Sequence, residues 1–147
     1  MKTQKFDDLC FDVWNAIEWG IFKGKLPYIQ IEATADHLPQ EYSDQLTGAF
    51  LENEPFNKLL INEEYLSKRP LDDLIITVFH ELIHFYCYVH HIKDAENRSG
   101  DTYHNEAFKA AVEKFGGCCP SKDSLFGWTD IELPADTMRK IKDRLKP

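Results

Sequence analysis

Residues 80 to 84 read His80-Glu81-Leu82-Ile83-His84, inside an apolar stretch that runs from Leu71 to Ile92. On a helix, residues four apart lie about 40° apart in azimuth and roughly 6 Å apart along the axis, so both imidazoles reach one tetrahedral ion. Glu81 falls on the flank of that face. A carboxylate there takes a proton from a water that the metal acidifies toward a pKa of roughly 7, and passes it to a leaving amine. Polar residues on so apolar a helix are a costly core defect unless something satisfies them. The spacing therefore points to a hydrolytic centre with one zinc ion, His80 and His84 as ligands, and Glu81 as general base.

A catalytic zinc takes three protein ligands and keeps a fourth position open. Three residues compete for the third place. His90 has the metzincin spacing HExxHxxxxxH, but that pattern turns the chain at a glycine where this sequence has Cys87. With the helix continuing through Cys87, His90 points roughly 100° away and lies about 9 Å beyond His84, out of reach of a bond of about 2 Å. Glu106, in Asn105-Glu106, looks like the downstream Asn-Glu pair of gluzincins, but the acid expected four residues later is Ala110. His104 ends a polar loop and begins a helix packed by Phe108, from which it can fold back over the first two ligands; it is the preferred third ligand. Beside it, Tyr103 is a candidate hydrogen-bond donor to the oxyanion of a tetrahedral intermediate, with ordinary packing as the competing role. His91 falls on the ligand face about 10 Å along the axis from His84, which suits the rim of a cleft.

Several elements must position these residues. Phe6, Leu9, Cys10, Val13, Trp14, Ile17 and Ile21 have helical spacing as far as Gly24. Tyr28 to Ala33 alternates as a strand, and two short runs follow, Leu46 to Glu52 and Lys58 to Asn62, with Asn53-Glu54-Pro55 as their turn. Three strands predict a small antiparallel sheet. Pro70 opens the helix that carries the HExxH segment, Asp72 and Asp73 complement its positive end, and the pattern extends to about Lys93. Asp94 to Asp101 reads as a polar surface loop. Glu106 to Phe115 is a helix stopped by Gly116-Gly117. A loop with Phe126 and Trp128 leads to a last helix, with Pro134 as its first residue.

The length of 147 residues suits one domain, 1–147, with a core at about 5–116 and a C-terminal loop and helix at 117–147. The hydrophobic content of 43% argues for a folded globule. Charges interrupt every long apolar stretch, so no membrane span is expected. The start, Met1-Lys2-Thr3-Gln4-Lys5, lacks the apolar core of a secretory signal and predicts a cytoplasmic protein. In that reducing compartment Cys10, Cys87, Cys118 and Cys119 are expected as free thiols, and no CxxC spacing suggests a second zinc. A net charge of −8 disfavours autonomous binding to nucleic acid, which depends on lysine and arginine. The basic run from Arg139 to Lys146 reads as the solvated face of a helix.

The HExxH segment His80 to His84, followed by Phe85-Tyr86 and then by His104-Asn105-Glu106-Ala107-Phe108-Lys109, resembles the SprT-like metallopeptidases. Their pattern is HExxH, a polar loop, and H-G-x-x-F. Lys58 to Leu66 also matches the strand and leucine-rich approach that precede HExxH in that family. The likeness covers roughly residues 5 to 116. Asn105 stands where the family usually has glycine, and the four-cysteine zinc ribbon of many members has no counterpart here. Spartan-type members act on proteins crosslinked to DNA through extra modules that this chain lacks. The resemblance implies a zinc-dependent endopeptidase on an α+β, minimal zincin-like domain: a small antiparallel three-stranded sheet packed on helices, including the HExxH helix. A polypeptide substrate would pair with an exposed edge strand. The rival expectations are a catalytically weak zinc-binding adaptor or inhibitor, and a protease that reaches DNA-bound proteins through a partner.

Overall fold

The computed structural model describes residues 2–34, 48–51, 57–99 and 101–145. Helix α1, Lys2–Gly20, buries Phe6, Cys10, Val13 and Ile17, a stripe of helical period that faces the core. Strands β1 (Gln30–Thr34), β2 (Gly48–Leu51) and β3 (Lys58–Asn62) form one sheet in the order β1-β3-β2. Leu59 and Ile61 of the central strand are fully buried while their neighbours are half-exposed, the two-residue period of a pleated strand. The turn expected at Asn53-Glu54-Pro55 lies outside the described residues.

The sheet is mixed, which corrects the antiparallel expectation. Strand β2 runs antiparallel to β3, but β1 runs parallel to it, with Ile31 beside Leu59 and Ala33 beside Ile61. Apolar alternation is the same for either direction. A parallel pair needs a connection of about a dozen residues or more, and the stretch from β1 to β3 is long enough to supply it.

After the short helix α2 (Glu63–Leu66) comes α3, Leu71–Val89, whose residues Leu74, Ile75, Val78, Phe79, Leu82, Ile83 and Phe85 are buried. A helix apolar on so many sides belongs in the interior, and α3 packs against α1, β2, β3 and α4. It ends four residues earlier than Lys93. The N–H of Ile92 donates to the Cys87 carbonyl at 2.8 Å and that of His91 to Tyr88 at 3.2 Å, with His91 at φ 56°. This paired closure of a helix end usually places glycine at the left-handed position. Here His91 fills it, so the sequence carries no glycine to mark the stop.

The segment after Ile92 is a β-hairpin, where a polar loop was expected. Strand β4 (Ala95–Arg98) pairs antiparallel with β5 (Asp101–His104). Its residues are mostly polar and half-exposed or exposed, so no apolar alternation reports the pairing. Asn105 then caps α4, Glu106–Lys114, by accepting from the N–H groups of Ala107 and Phe108 at 3.0 and 3.2 Å. Helix α5, Ala135–Leu145, packs against α1 through buried Ile141, and Lys142 pairs with Asp72 at the start of α3. Among the described residues no helix is long and apolar enough to cross a membrane.

Candidate metal centre

His80 and His84 lie one turn apart on α3, and His104 is the last residue of β5. The hairpin, not a helix, therefore delivers the third histidine. The Nε2 atoms of His80 and His84 are 3.2 Å apart, as are those of His104 and His84, and one ring nitrogen from each of the three lies within 4.8 Å of the others. Phe108 forms the wall behind them, with ring centroids 5.0, 4.8 and 4.7 Å from those of His80, His84 and His104. Its place on the first turn of α4 follows from the Asn105 cap, which sets where that helix begins.

The opposite ring nitrogens fix the chemistry of the donors. His84 Nδ1–H donates to Asp94 Oδ2 at 2.7 Å, and His104 Nδ1–H donates to the Phe126 carbonyl at 3.0 Å. With those protons on Nδ1, each neutral ring turns an Nε2 lone pair toward the cluster. Lone pairs facing one another at 3.2 Å repel unless a cation or a proton lies between them. Nitrogens bound at about 2.0–2.1 Å to one tetrahedral ion stand about 3.3 Å apart. The donor set and spacing thus fit a metal ion such as zinc, and the three histidines are positioned to bind one.

The electrostatics favour neutral donors at two of the three positions. Burial, reinforced by the neighbouring histidines, lowers His80 well below the ordinary histidine range, and burial with His84 lowers His104 to about 4. Burial also disfavours a charged His84, but the Asp94 hydrogen bond and the charges of Glu81 and Asp94 outweigh it and raise that group. Glu81 is buried. Burial pushes its carboxyl up to about 7, His84 opposes the rise, Asp94 adds to it, and a backbone hydrogen bond from Phe50 on β2 opposes it again. Strand β2 comes this close because residue 48 is glycine: a Cβ there would lie 2.9 Å from Thr77 Cγ2 and from the Leu60 carbonyl, and 3.5 Å from Glu81 Cγ.

The other sequence candidates sit apart from the three donors. Glu106 accepts from Trp128 Nε1 at 2.7 Å on the exposed side of α4. His90 is exposed and stacks on Tyr86, with centroids 4.4 Å apart. His91 is exposed and closes α3. Tyr103 is buried, and strand alternation turns its side chain to the face opposite His104, where the Arg98 guanidinium lies 3.6 Å from the ring centre. Sequence reasoning passed over Asp94 and the Phe126 carbonyl. Asp94 is one acid in a polar run, and a backbone carbonyl has no residue signature at all.

Cys87 and Cys10 are buried, and all four cysteines are free thiols. Burial, then Asp94, pushes the Cys87 thiol up to about 12.

A family model described as the SprT-like family matches residues 21–126, more than two thirds of the chain. The match spans the sheet, α3, the hairpin and α4, and with them all three histidines. Comparison with curated proteins and with solved structures finds no match.

Proposed function

This chain belongs to the SprT-like family, and from that premise and its histidine cluster we propose that it is a zinc-dependent endopeptidase on a zincin-like domain. The convergence of His80, His84 and His104 beside the buried carboxylate of Glu81 carries the reading. The three histidines hold one zinc through Nε2, while Asp94 and the Phe126 carbonyl hold the rings of His84 and His104 in the tautomer that presents those atoms. When bound, zinc supplies Lewis acidity toward a peptide carbonyl and a water molecule.

Glu81 takes the proton of the attacking water and returns it to the leaving amine. Its carboxylate is aimed by the Phe50 N–H, and its buried setting keeps its affinity for that proton high. Tyr103, beneath Arg98, and His91, at the helix end, have structural roles in this scheme.

The substrate is a polypeptide in extended form. Among the described residues β2 has a strand partner on one side only, and Phe50 on that strand contacts Glu81. A peptide laid along the free edge of β2 pairs by its backbone and so tolerates varied side chains. Wild type and Glu81→Gln, compared for zinc content and for cleavage of unfolded proteins, test the proposal. Both should carry one zinc per chain, and only wild type should cleave. A wild type that holds zinc and cleaves nothing would favour a binding module.

A further inference from the structure

His104 is held from outside its own hairpin. Its backbone N–H and its ring Nδ1–H both donate to the Phe126 carbonyl, at 2.9 and 3.0 Å, and its own carbonyl accepts from the Trp128 N–H at 2.9 Å. These bonds add one parallel bridge to β5, between His104 and Gly127. Two motions would swing Nε2 away from the other histidines, a shift of the backbone at 104 and a rotation of the ring. Both are stopped by the same carbonyl.

That carbonyl belongs to a turn that closes on itself. Asp123 and Gly127 exchange both backbone hydrogen bonds, at 2.8 and 2.9 Å, and Asp123 Oδ1 accepts from the N–H groups of Leu125 and Phe126 at 2.7 and 2.9 Å. Leu125 and Phe126 are 58% and 39% exposed, so apolar burial is not what orders this turn. Trp128 Nε1, bonded to Glu106 Oε2, ties its far end to α4. Gly127, at φ 69°, is the point of closest approach: a Cβ there would stand 2.1 Å from the His104 carbonyl oxygen. No side chain fits, so only glycine lets the turn come near enough for Phe126 to reach the ring.

We propose that the turn from Asp123 to Trp128 is a positioning device for His104, which locks the backbone and ring of the third ligand and thereby sets the metal affinity of the centre. Asp123 and Gly127 are its positioning residues. The inference rests on the metal-binding part of the functional reading and is independent of peptide hydrolysis.

The test is zinc affinity of the full chain by chelator competition, with the visible absorption of bound Co(II) as a report on ligand geometry and unfolding of the metal-free protein as a check on the fold. Gly127→Ala should weaken zinc by about 10–100-fold, the range expected when a partner behind a metal ligand is lost, and should alter the Co(II) bands. Asp123→Ala should weaken zinc about tenfold, and Asp123→Asn, which keeps the Oδ1 acceptor, should restore it. In a His104→Ala background neither change should weaken the residual binding further. Asp123 is exposed, so its two variants decide the matter if Gly127→Ala unfolds the protein. Wild-type affinity in Asp123→Ala and Gly127→Ala, or effects that persist undiminished without His104, would overturn the proposal alone. A wild type that takes up no zinc would overturn it together with the metal reading.

Discussion

His84 and Asp94 are joined by a 2.7 Å hydrogen bond from Nδ1 to Oδ2, across the end of α3 and the entry to the β4–β5 hairpin. The bond sets the tautomer of the central histidine, whose Nε2 lies 3.2 Å from both of the others. The same carboxylate also adds to the rise that burial imposes on the Cys87 thiol.

Removing that carboxylate should loosen the centre without unfolding the protein. Asp94→Ala should lower zinc affinity by about 10–100-fold, and Asp94→Asn, which keeps an oxygen acceptor, should fall between it and wild type. Chelator competition reads the effect. Equal affinities in all three proteins would remove Asp94 from the account of the site.

The identity of the third ligand separates three variants. His104→Ala should strip or greatly weaken the metal, because two histidines alone hold zinc poorly against chelators. Glu106→Ala and His90→Ala should retain it, since Glu106 is bonded to Trp128 and His90 stacks on Tyr86. Metal analysis after dialysis decides among them, and loss in either of the latter two would reassign the ligand.

Asn105 occupies the position that is usually glycine in the family, and here its side chain works in two directions. Oδ1 caps α4, while Nδ2 donates to the Lys93 carbonyl at 2.9 Å and so ties together the segments that enter and leave the hairpin. Asn105→Ala should cost about 1–2 kcal/mol in urea unfolding. A change within about 0.5 kcal/mol of wild type would mean that the cap contributes nothing measurable.

Nucleic acid should bind weakly to the chain alone. The net charge is −8, and two cations of α5 are already paired, Arg139 with Asp136 and Lys142 with Asp72. Any affinity for DNA should fall steeply between about 50 and 200 mM salt. Submicromolar binding that survives the higher salt would bring DNA-bound protein substrates to the front.

The pairing of His80 with His84, and the place of Glu81 beside them, follow from the sequence alone, because a helix of 3.6 residues per turn puts positions four apart on one side whatever surrounds it. The sequence also marks His104 as a residue just ahead of the helix that Phe108 packs, although it does not show that a strand carries it. The rest depends on contacts between residues far apart in the chain. Alternation in β1 and β3 says which side chains are buried but not which way the strands run, and the hairpin at 95–104 is built by backbone bonds among polar residues. The apolar pattern runs past the end of α3 because His91, and not a glycine, adopts the left-handed conformation that closes the helix. Asp94, the Phe126 carbonyl and Gly127 reach the histidines only after the hairpin and the turn at 123–128 have folded over α3. No periodicity within one element can anticipate that approach, because the packing of different elements decides it.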